Sequence, residues 1–202
     1  AKSPTSSELR GLLAFELLGI DVDTVFGLST GKQRTAFLRG EINVNYDQTE
    51  PYGQKIKKYE KKGTVVPIMT FGISTPNGTI KRDPGQPNLP TVHEAYELVN
   101  GKKPSGPAYD AFMNFLHIGI TAPQSFVLPK GTPEEIVKIY VEAAEKTNSD
   151  PVFAAKVAKQ LSNLPRVFGK DAKALQKMAT DIKPETREWM KGWIKAKFNI
   201  DI

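Results

Sequence analysis

Residues 25–47 read VFGLSTGKQRTAFLRGEINVNYD, and this stretch carries the strongest indication of the fold. A β-like run ends at Phe26, residues 27–31 make a polar, glycine-rich turn, and a helix-compatible segment follows. Residues 42–46 then alternate like a second strand. This order predicts a β-loop-α-β unit, in which the loop lies at the carboxyl ends of parallel strands, where α/β sheets bind ligands.

The flanking sequence continues the alternation. The sequences TSSE at residues 5–8, TVHE at 91–94 and TPEE at 132–135 each fit a capping box and predict a helix after it. Runs rich in β-formers at 21–28 and 64–71 are separated by helix-like segments, and residues 72–90 are crowded with turn residues and predict a long loop. We therefore expect an α/β fold, a mostly parallel sheet flanked by helices, with helices dominating the C-terminal part. A further strand is expected at residues 117–121, and Trp189 and Trp193, one turn apart, are expected to dock the last helix onto the body.

Composition excludes several classes of protein. The 202 residues are 39% hydrophobic and 25% charged, which is ordinary for a globular protein, and no apolar run is long enough to span a bilayer. The absence of cysteine excludes disulfides and thiolate sites. The net charge of +6 comes partly from lysines at 55–62 with helical spacing, which indicates a solvated helix face rather than a nucleic-acid site.

The glycine-rich turn is the first candidate site. Its sequence GLSTGKQ is one residue too short between the glycines for a phosphate-binding P-loop, and Gln33 replaces the hydroxyl that would bind magnesium. Two hydroxyls ahead of a helix N-terminus can still bind an anion. The alternative is that Ser29 or Thr30 only caps the helix, and the sequence favours neither possibility.

Other polar side chains have similar alternatives. The hydroxyls of Ser6 and Ser7 exceed what a capping box needs, whereas Asp47, after the second strand, is expected to cap the following helix. His93 and His117 show no metal-ligand spacing and are expected to be structural. We expect no catalytic group, no bound metal and no cofactor.

Several segments resemble one known family. The sequences LRGEINVNYD, KKGTVVPIMTFG and RDPGQPNLPTVHEAY, followed by LPKGTPEEIVKIYVEAA, resemble the extracytoplasmic solute-binding receptors of tripartite tricarboxylate transporters, the Bug family. The most specific parts are PNLPTVHE at 87–94 and PKGTP at 129–133. The likeness begins partway into the family's chain, so we expect a fragment that lacks the N-terminal part.

The resemblance implies two lobes of the type II periplasmic binding-protein plan. Residues 1–114 would form the ligand-binding α/β lobe, and residues 115–202 would supply a crossover strand and helices belonging largely to the other lobe. Thr5 falls on a serine of the family's first ligand loop, residues 26–31 fall on its second, and Asp47 matches an acid after a strand. The candidate ligand-binding residues are therefore Thr5, Ser6, Ser7, Gly27, Ser29, Thr30, Gly31 and Asp47.

The resemblance also implies a function. We expect a periplasmic receptor that captures a small organic acid and delivers it to transporter membrane subunits, without catalysis, without nucleic acid and without inserting into the membrane itself. We expect the signal peptide of such a protein to lie outside this chain. Glu8, where many relatives have histidine, and Asn43, where aspartate is common, leave the choice of acid open. The alternative is an effector-sensing domain of a regulator or sensor, which shares the same lobe plan.

Overall fold

The computed structural model describes residues 3, 4, 6, 8–121, 125–160 and 166–202. More than half of these residues are helical. The helices are α1 (Leu9–Leu18), α2 (Thr30–Leu38), α3 (Thr49–Pro51), α4 (Lys57–Glu60), α5 (Val92–Asn100), α6 (Pro107–Leu116), α7 (Glu134–Ser149), α8 (Pro151–Gln160), α9 (Gly169–Thr180) and α10 (Pro184–Phe198). Two π-helical turns, Tyr52–Ile56 and His117–Thr121, follow α3 and α6. Strands β1 (Ile73–Ser74) and β2 (Ile80–Lys81) form an antiparallel hairpin.

The core lies between four of the helices. Phe112 of α6 is fully buried and packs with buried residues of α1, α5 and α10. On α10, Met190 and Ile194 are buried, and Trp189 stacks on Trp193 with ring centroids 6.0 Å apart. Both tryptophans also pack against the core, so the prediction that they dock the last helix onto the body is confirmed.

The predicted fold class is wrong. Among the described residues, the strands are the two short ones of the β1–β2 hairpin, which is antiparallel, and no parallel sheet flanked by helices is present. The expected strands at 21–28, 42–46 and 64–71 are not strands, apart from a single parallel bridge between Thr70 and Thr91. The segment His117–Thr121, also expected to be a strand, is π-helical.

The failure has a physical reason. A run of β-formers becomes a strand only when its backbone groups pair with a neighbouring strand, so strand formation depends on distant residues. In the expected strand at 64–71, Val66 and Ile68 are 76% and 58% exposed, so no second layer of the described residues covers that face. The hairpin forms instead inside the expected loop 72–90, around the turn at Asn77 and Gly78.

Predictions based on local helix signals fared better. Thr91 and Glu94 form the expected capping box, and Gly101 ends α5 in the left-handed conformation. The box expected at Thr132 is wrong, because its hydroxyl donates to the Pro129 carbonyl and Pro133 is the N-cap of α7. The predicted division between residues 114 and 115 falls inside α6 and stays a prediction.

Helices α7 and α8 lie apart from the core. They contact each other, and α7 has no buried residue. Ile139 and Val152 are 59% and 63% exposed, and Phe126 contacts Tyr140 on the same surface with 81% of its own area exposed. Val157 of α8 is buried, but the other described side chains of α7 and α8 contribute little apolar burial to the fold.

Candidate functional site

The glycine-rich turn leads directly into α2. Gly27 has φ +88°, a left-handed conformation that favours glycine, and Ser29 is the extended N-cap residue before Thr30. Gln33 is 6% exposed, and its side-chain amide donates to the Leu28 carbonyl at 2.8 Å. Gln33, which stands where a P-loop would have its magnesium-binding hydroxyl, thus stabilises the shape of the turn.

The hydroxyls of this turn do not cap α2. Ser29 makes no capping hydrogen bond through its side chain, and the Thr30 hydroxyl points to a carboxylate elsewhere in the chain. The pure capping interpretation is therefore wrong for these two residues. Since the first N–H groups of a helix have no partner within the helix, the exposed Ser29 and Gly31 leave a polar, electropositive end open to solvent.

The two predicted polar loops meet at Glu8. The Thr30 hydroxyl donates to Glu8 Oε1 at 3.4 Å, and the Ser6 hydroxyl donates to Glu8 Oε2 at 3.4 Å and to the Ser3 carbonyl at 2.8 Å. The sequence assigned Glu8 only to a capping box with Thr5. The structure instead places its carboxylate beside the N-terminus of α2, where the helix dipole stabilises negative charge. The candidate anion site thus already holds a carboxylate of the chain itself.

Asp47 lies close to the same helix, held by Arg34. Arg34 donates from Nε to Asp47 Oδ2 at 2.5 Å and from Nη2 to Oδ1 at 2.6 Å, and only 11% and 4% of the two side chains are exposed. These hydrogen bonds raise the pKa of Arg34. Asp47 Oδ1 also accepts from the Gln48 amide at 3.1 Å, but Gln48 is the N-cap of α3, so the expected capping role of Asp47 is wrong.

Arg10 is a buried polar residue that the sequence analysis missed. It is 2% exposed, donates to the Tyr46 hydroxyl at 2.5 Å, and its guanidinium lies 5.0 Å and 5.6 Å from the ring centroids of Tyr46 and Phe71. A signal was available, because Arg10 precedes Leu13 and Ala14 by three and four positions and so shares their buried helix face. Together with Arg34, Arg10 puts two buried guanidiniums next to the segment that ends at Asp47.

The segment before the turn is attached to the end of α10. Phe26 packs edge-on against Phe198 with centroids 5.2 Å apart, and Lys197 Nζ lies 2.9 Å from Asp21 Oδ1. The hydrogen bond and charge of Lys197 lower the pKa of Asp21. Residues 21–29 are therefore fixed by α10 at one end and by α2 at the other, although they form no strand.

The structure brings together some of the predicted site residues. The hydroxyls of Ser6 and Thr30 converge on Glu8. Gly27 and Ser29 lie in the turn before α2. Arg34, one helical turn after Thr30, links Asp47 to α2. Thr5 and Ser7 lie outside the described residues.

Other kinds of site find no support among the described residues. No three histidine or carboxylate side chains there lie close enough to hold a metal ion, and no helix there is long and apolar enough to cross a membrane. The imidazole of His93 hydrogen-bonds the Tyr109 hydroxyl at 2.8 Å and packs on Phe112, and burial lowers its pKa. Comparison of the chain with protein-family models, with curated proteins and with solved structures found no match in any of the three.

Proposed function

We propose that this chain is the ligand-binding part of a solute-binding receptor that captures a small organic acid for a tripartite tricarboxylate-type uptake system. The observation that carries the proposal is the convergence of the Ser6 and Thr30 hydroxyls on one carboxylate, that of Glu8, beside the N-terminus of α2. Carboxylates in proteins are bound by this combination of hydroxyls and helix N–H groups. The proposal rests on the turn at 27–31 and on the N-terminus of α2, and it does not need a parallel sheet.

An incoming acid would take the position of the Glu8 carboxylate. The turn at 27–31 is open to solvent, and Ser29 has an exposed side chain that no cap uses. Loss of the Glu8 contacts would be compensated by equivalent contacts to the ligand, so the exchange depends on small differences in free energy. The net charge of +6 favours the approach of an anion.

The proposed setting follows from the resemblance of the sequence to the Bug family. The receptor would work in the periplasm and pass its acid to the membrane subunits of the transporter, without a cofactor and without catalysis.

Isothermal titration with succinate and citrate tests the proposal, with the uncharged succinamide as the ligand control. The double variant Ser29→Ala/Thr30→Val should weaken acid binding by about tenfold or more, because hydrogen bonds to a charged group are lost. Thr35→Val is the matched control, since Thr35 lies on the same helix and donates to its own backbone at Gly31. Equal affinity of the double variant and the wild type, or no binding of any acid, would refute the proposal.

A further inference from the structure

Helix α7 carries an apolar stripe that the described part of the chain leaves uncovered. Four exposed apolar residues are spaced three and four positions apart and therefore share one side of the helix: Ile136, Ile139, Tyr140 and Ala143. The ring of Phe126, which is also exposed, extends this surface, because its centroid lies 5.7 Å from that of Tyr140. These five residues form a surface that we call the α7 face.

The opposite side of α7 is in contact with other parts of the chain. Val141 lies against Gly169 at the start of α9, and Asn148 accepts a hydrogen bond from Arg166 at 2.7 Å. Helix α8 also packs on α7. The α7 face is therefore the side of this helix that no described element covers. Exposed apolar patches bordered by charged residues are typical of surfaces that bind another protein.

Two charged residues border one edge of the α7 face. Glu135 and Lys146 are eleven positions apart, which is about three helical turns, so they lie on the same edge and roughly 16 Å from each other along the axis. Both are exposed, and neither forms an ion pair with a described residue. Lys138 and Glu142, on the far side of the helix, pair with each other at 3.8 Å. The edge of the α7 face thus has opposite charges at its two ends.

This edge is complementary to itself when two α7 helices run in opposite directions. The start of one helix then lies beside the end of the other, so Glu135 of each copy meets Lys146 of the other copy. The midpoint between these residues falls at Tyr140 and Val141, inside the stripe, so the two apolar stripes overlap when the charges pair. A parallel pair would instead place like charges side by side, which is unfavourable.

We propose that the α7 face binds the same face of a second copy of this chain, with the two α7 helices antiparallel. In this register Ala143 of one copy lies at a level between Ile136 and Ile139 of the other, so a small side chain faces two large ones. One helix pair buries at most about 1,000 Å² in total, so the Kd should be about 10–100 μM. At the concentrations used for unfolding, about 2 μM, the chain is then mostly monomeric.

Sedimentation equilibrium between about 5 and 500 μM measures the association. The mean mass should rise from that of one chain towards that of two, without larger species. Ile139→Asp should raise the Kd at least about tenfold, because it places a charge in the middle of the apolar contact. Leu98→Asp is the matched control, since Leu98 is an exposed apolar residue on α5, and it should leave the Kd within about twofold. Circular dichroism confirms that both variants are folded.

Exchanging the edge charges tests the antiparallel register. Glu135→Lys or Lys146→Glu alone should weaken self-association about tenfold at low salt, because like charges then face each other at two places. An equimolar mixture of these two variants should associate about as tightly as the wild type, since each positive edge then meets a negative one. Glu145→Lys, on the far side of α7, is the control for net charge and should stay within about twofold of the wild type. A chain that stays monomeric, wild-type association of Ile139→Asp, or a mixture that associates no more tightly than its components would overturn the proposal.

Discussion

Arg34 holds Asp47 in a bidentate ion pair that is almost fully buried, with N–O distances of 2.5 Å and 2.6 Å. The pair joins α2 to the segment that follows the expected second strand. A guanidinium and a carboxylate in this fork geometry bind each other at two points, which fixes their orientation as well as their distance.

Removing one partner of this pair should be strongly destabilising. In Arg34→Met, the Asp47 carboxylate stays buried without its guanidinium, so the free energy of unfolding should fall by about 3–5 kcal/mol. Urea unfolding measures this change. Arg39→Met is the control, because Arg39 is exposed and lies 3.7 Å from Glu41, and it should change stability by less than about 0.5 kcal/mol. Similar effects for both variants would contradict a special role of the buried pair.

Gly72 is expected to tolerate no side chain. It has φ +80°, and a Cβ atom there would lie 2.6 Å from Ile80 Cγ2 and 2.9 Å from the Lys81 carbonyl oxygen. Gly72→Ala should therefore lower the free energy of unfolding by roughly 3 kcal/mol. Gly192→Ala should have the opposite sign and stabilise by about 0.5–1 kcal/mol, since Gly192 lies inside α10 with open space around it. Thermal or urea unfolding of both variants checks that the two substitutions change the free energy of unfolding in opposite directions.

The lowered pKa of Glu94 predicts that the protein loses stability in acid. Hydrogen bonds from Arg82 and from the Thr91 backbone lower its pKa from 4.5 to about 2. Since the carboxylate is favoured in the folded state, its contribution is complete above the unfolded pKa and is lost as the pH falls from 4.5 towards 2. The side chain is 43% exposed, so solvent screening reduces this contribution to about 1 kcal/mol.

The variant Glu94→Gln isolates that charge, because glutamine can keep the capping box. It should be less stable than the wild type by about 1 kcal/mol near neutral pH, and the difference should shrink as the pH falls below about 4.5 and approach zero only near pH 2. Urea unfolding over a pH series measures the difference. The exposed Glu97, on the same helix, gives the control Glu97→Gln. A difference that stays constant with pH would contradict the assignment to the Glu94 charge.

Replacing a large side chain by alanine should lower the free energy of unfolding much more in the core than on α7. Phe112→Ala should cost about 3–5 kcal/mol, because the ring is fully buried and would leave a cavity. Ile139→Ala should change stability by no more than about 0.5 kcal/mol, because the side chain is 59% exposed. Chemical denaturation of both variants provides the comparison. A large loss in Ile139→Ala would mean that this face of α7 is covered in solution.

The sequence predicted helices well and strands badly because their signals have different ranges. Thr91 and Glu94 are three residues apart and together mark the start of α5, so the signal is local. The β-formers at 64–71 carry no information about whether a neighbouring strand exists, and in the structure only Thr70 finds a bridging partner, Thr91. The alternation of these runs with helix-like segments predicted a parallel sheet, and the resemblance to a two-lobed family agreed with that expectation, which is wrong.

The candidate site was predictable in part. The turn residues Ser29 and Thr30 followed from local patterns, and the pairing of their loop with the loop of Ser6 followed from the resemblance. That Glu8 would occupy the site could not be inferred, because its contact with Thr30 joins residues 22 positions apart. Arg34 shows the same limit, since its bond to Asp47 spans 13 positions. Contacts at this distance along the chain depend on how the helices pack, which local spacing does not specify.

The position of Glu8 leads to the sharpest prediction about binding, and it rests on the proposed function. The Glu8 carboxylate competes with an acid for the hydroxyls of Ser6 and Thr30, and its charge repels the acid. In Glu8→Gln the shape is kept while the charge is removed. Succinate should therefore bind this variant about tenfold more tightly than the wild type, and the gain should shrink at high salt because screening weakens charge repulsion.

Titration of succinate into both proteins at low and high ionic strength measures the effect. Glu16→Gln is the matched control, because Glu16 lies on α1, away from the turn, with its carboxylate 3.8 Å from Lys197. This control should leave succinate affinity within about twofold of the wild type. If Glu8→Gln instead binds succinate more weakly, Glu8 supports the ligand rather than competing with it. The acid would then lie beside the Glu8 carboxylate, and the proposal that the acid replaces this carboxylate at the N-terminus of α2 would be wrong.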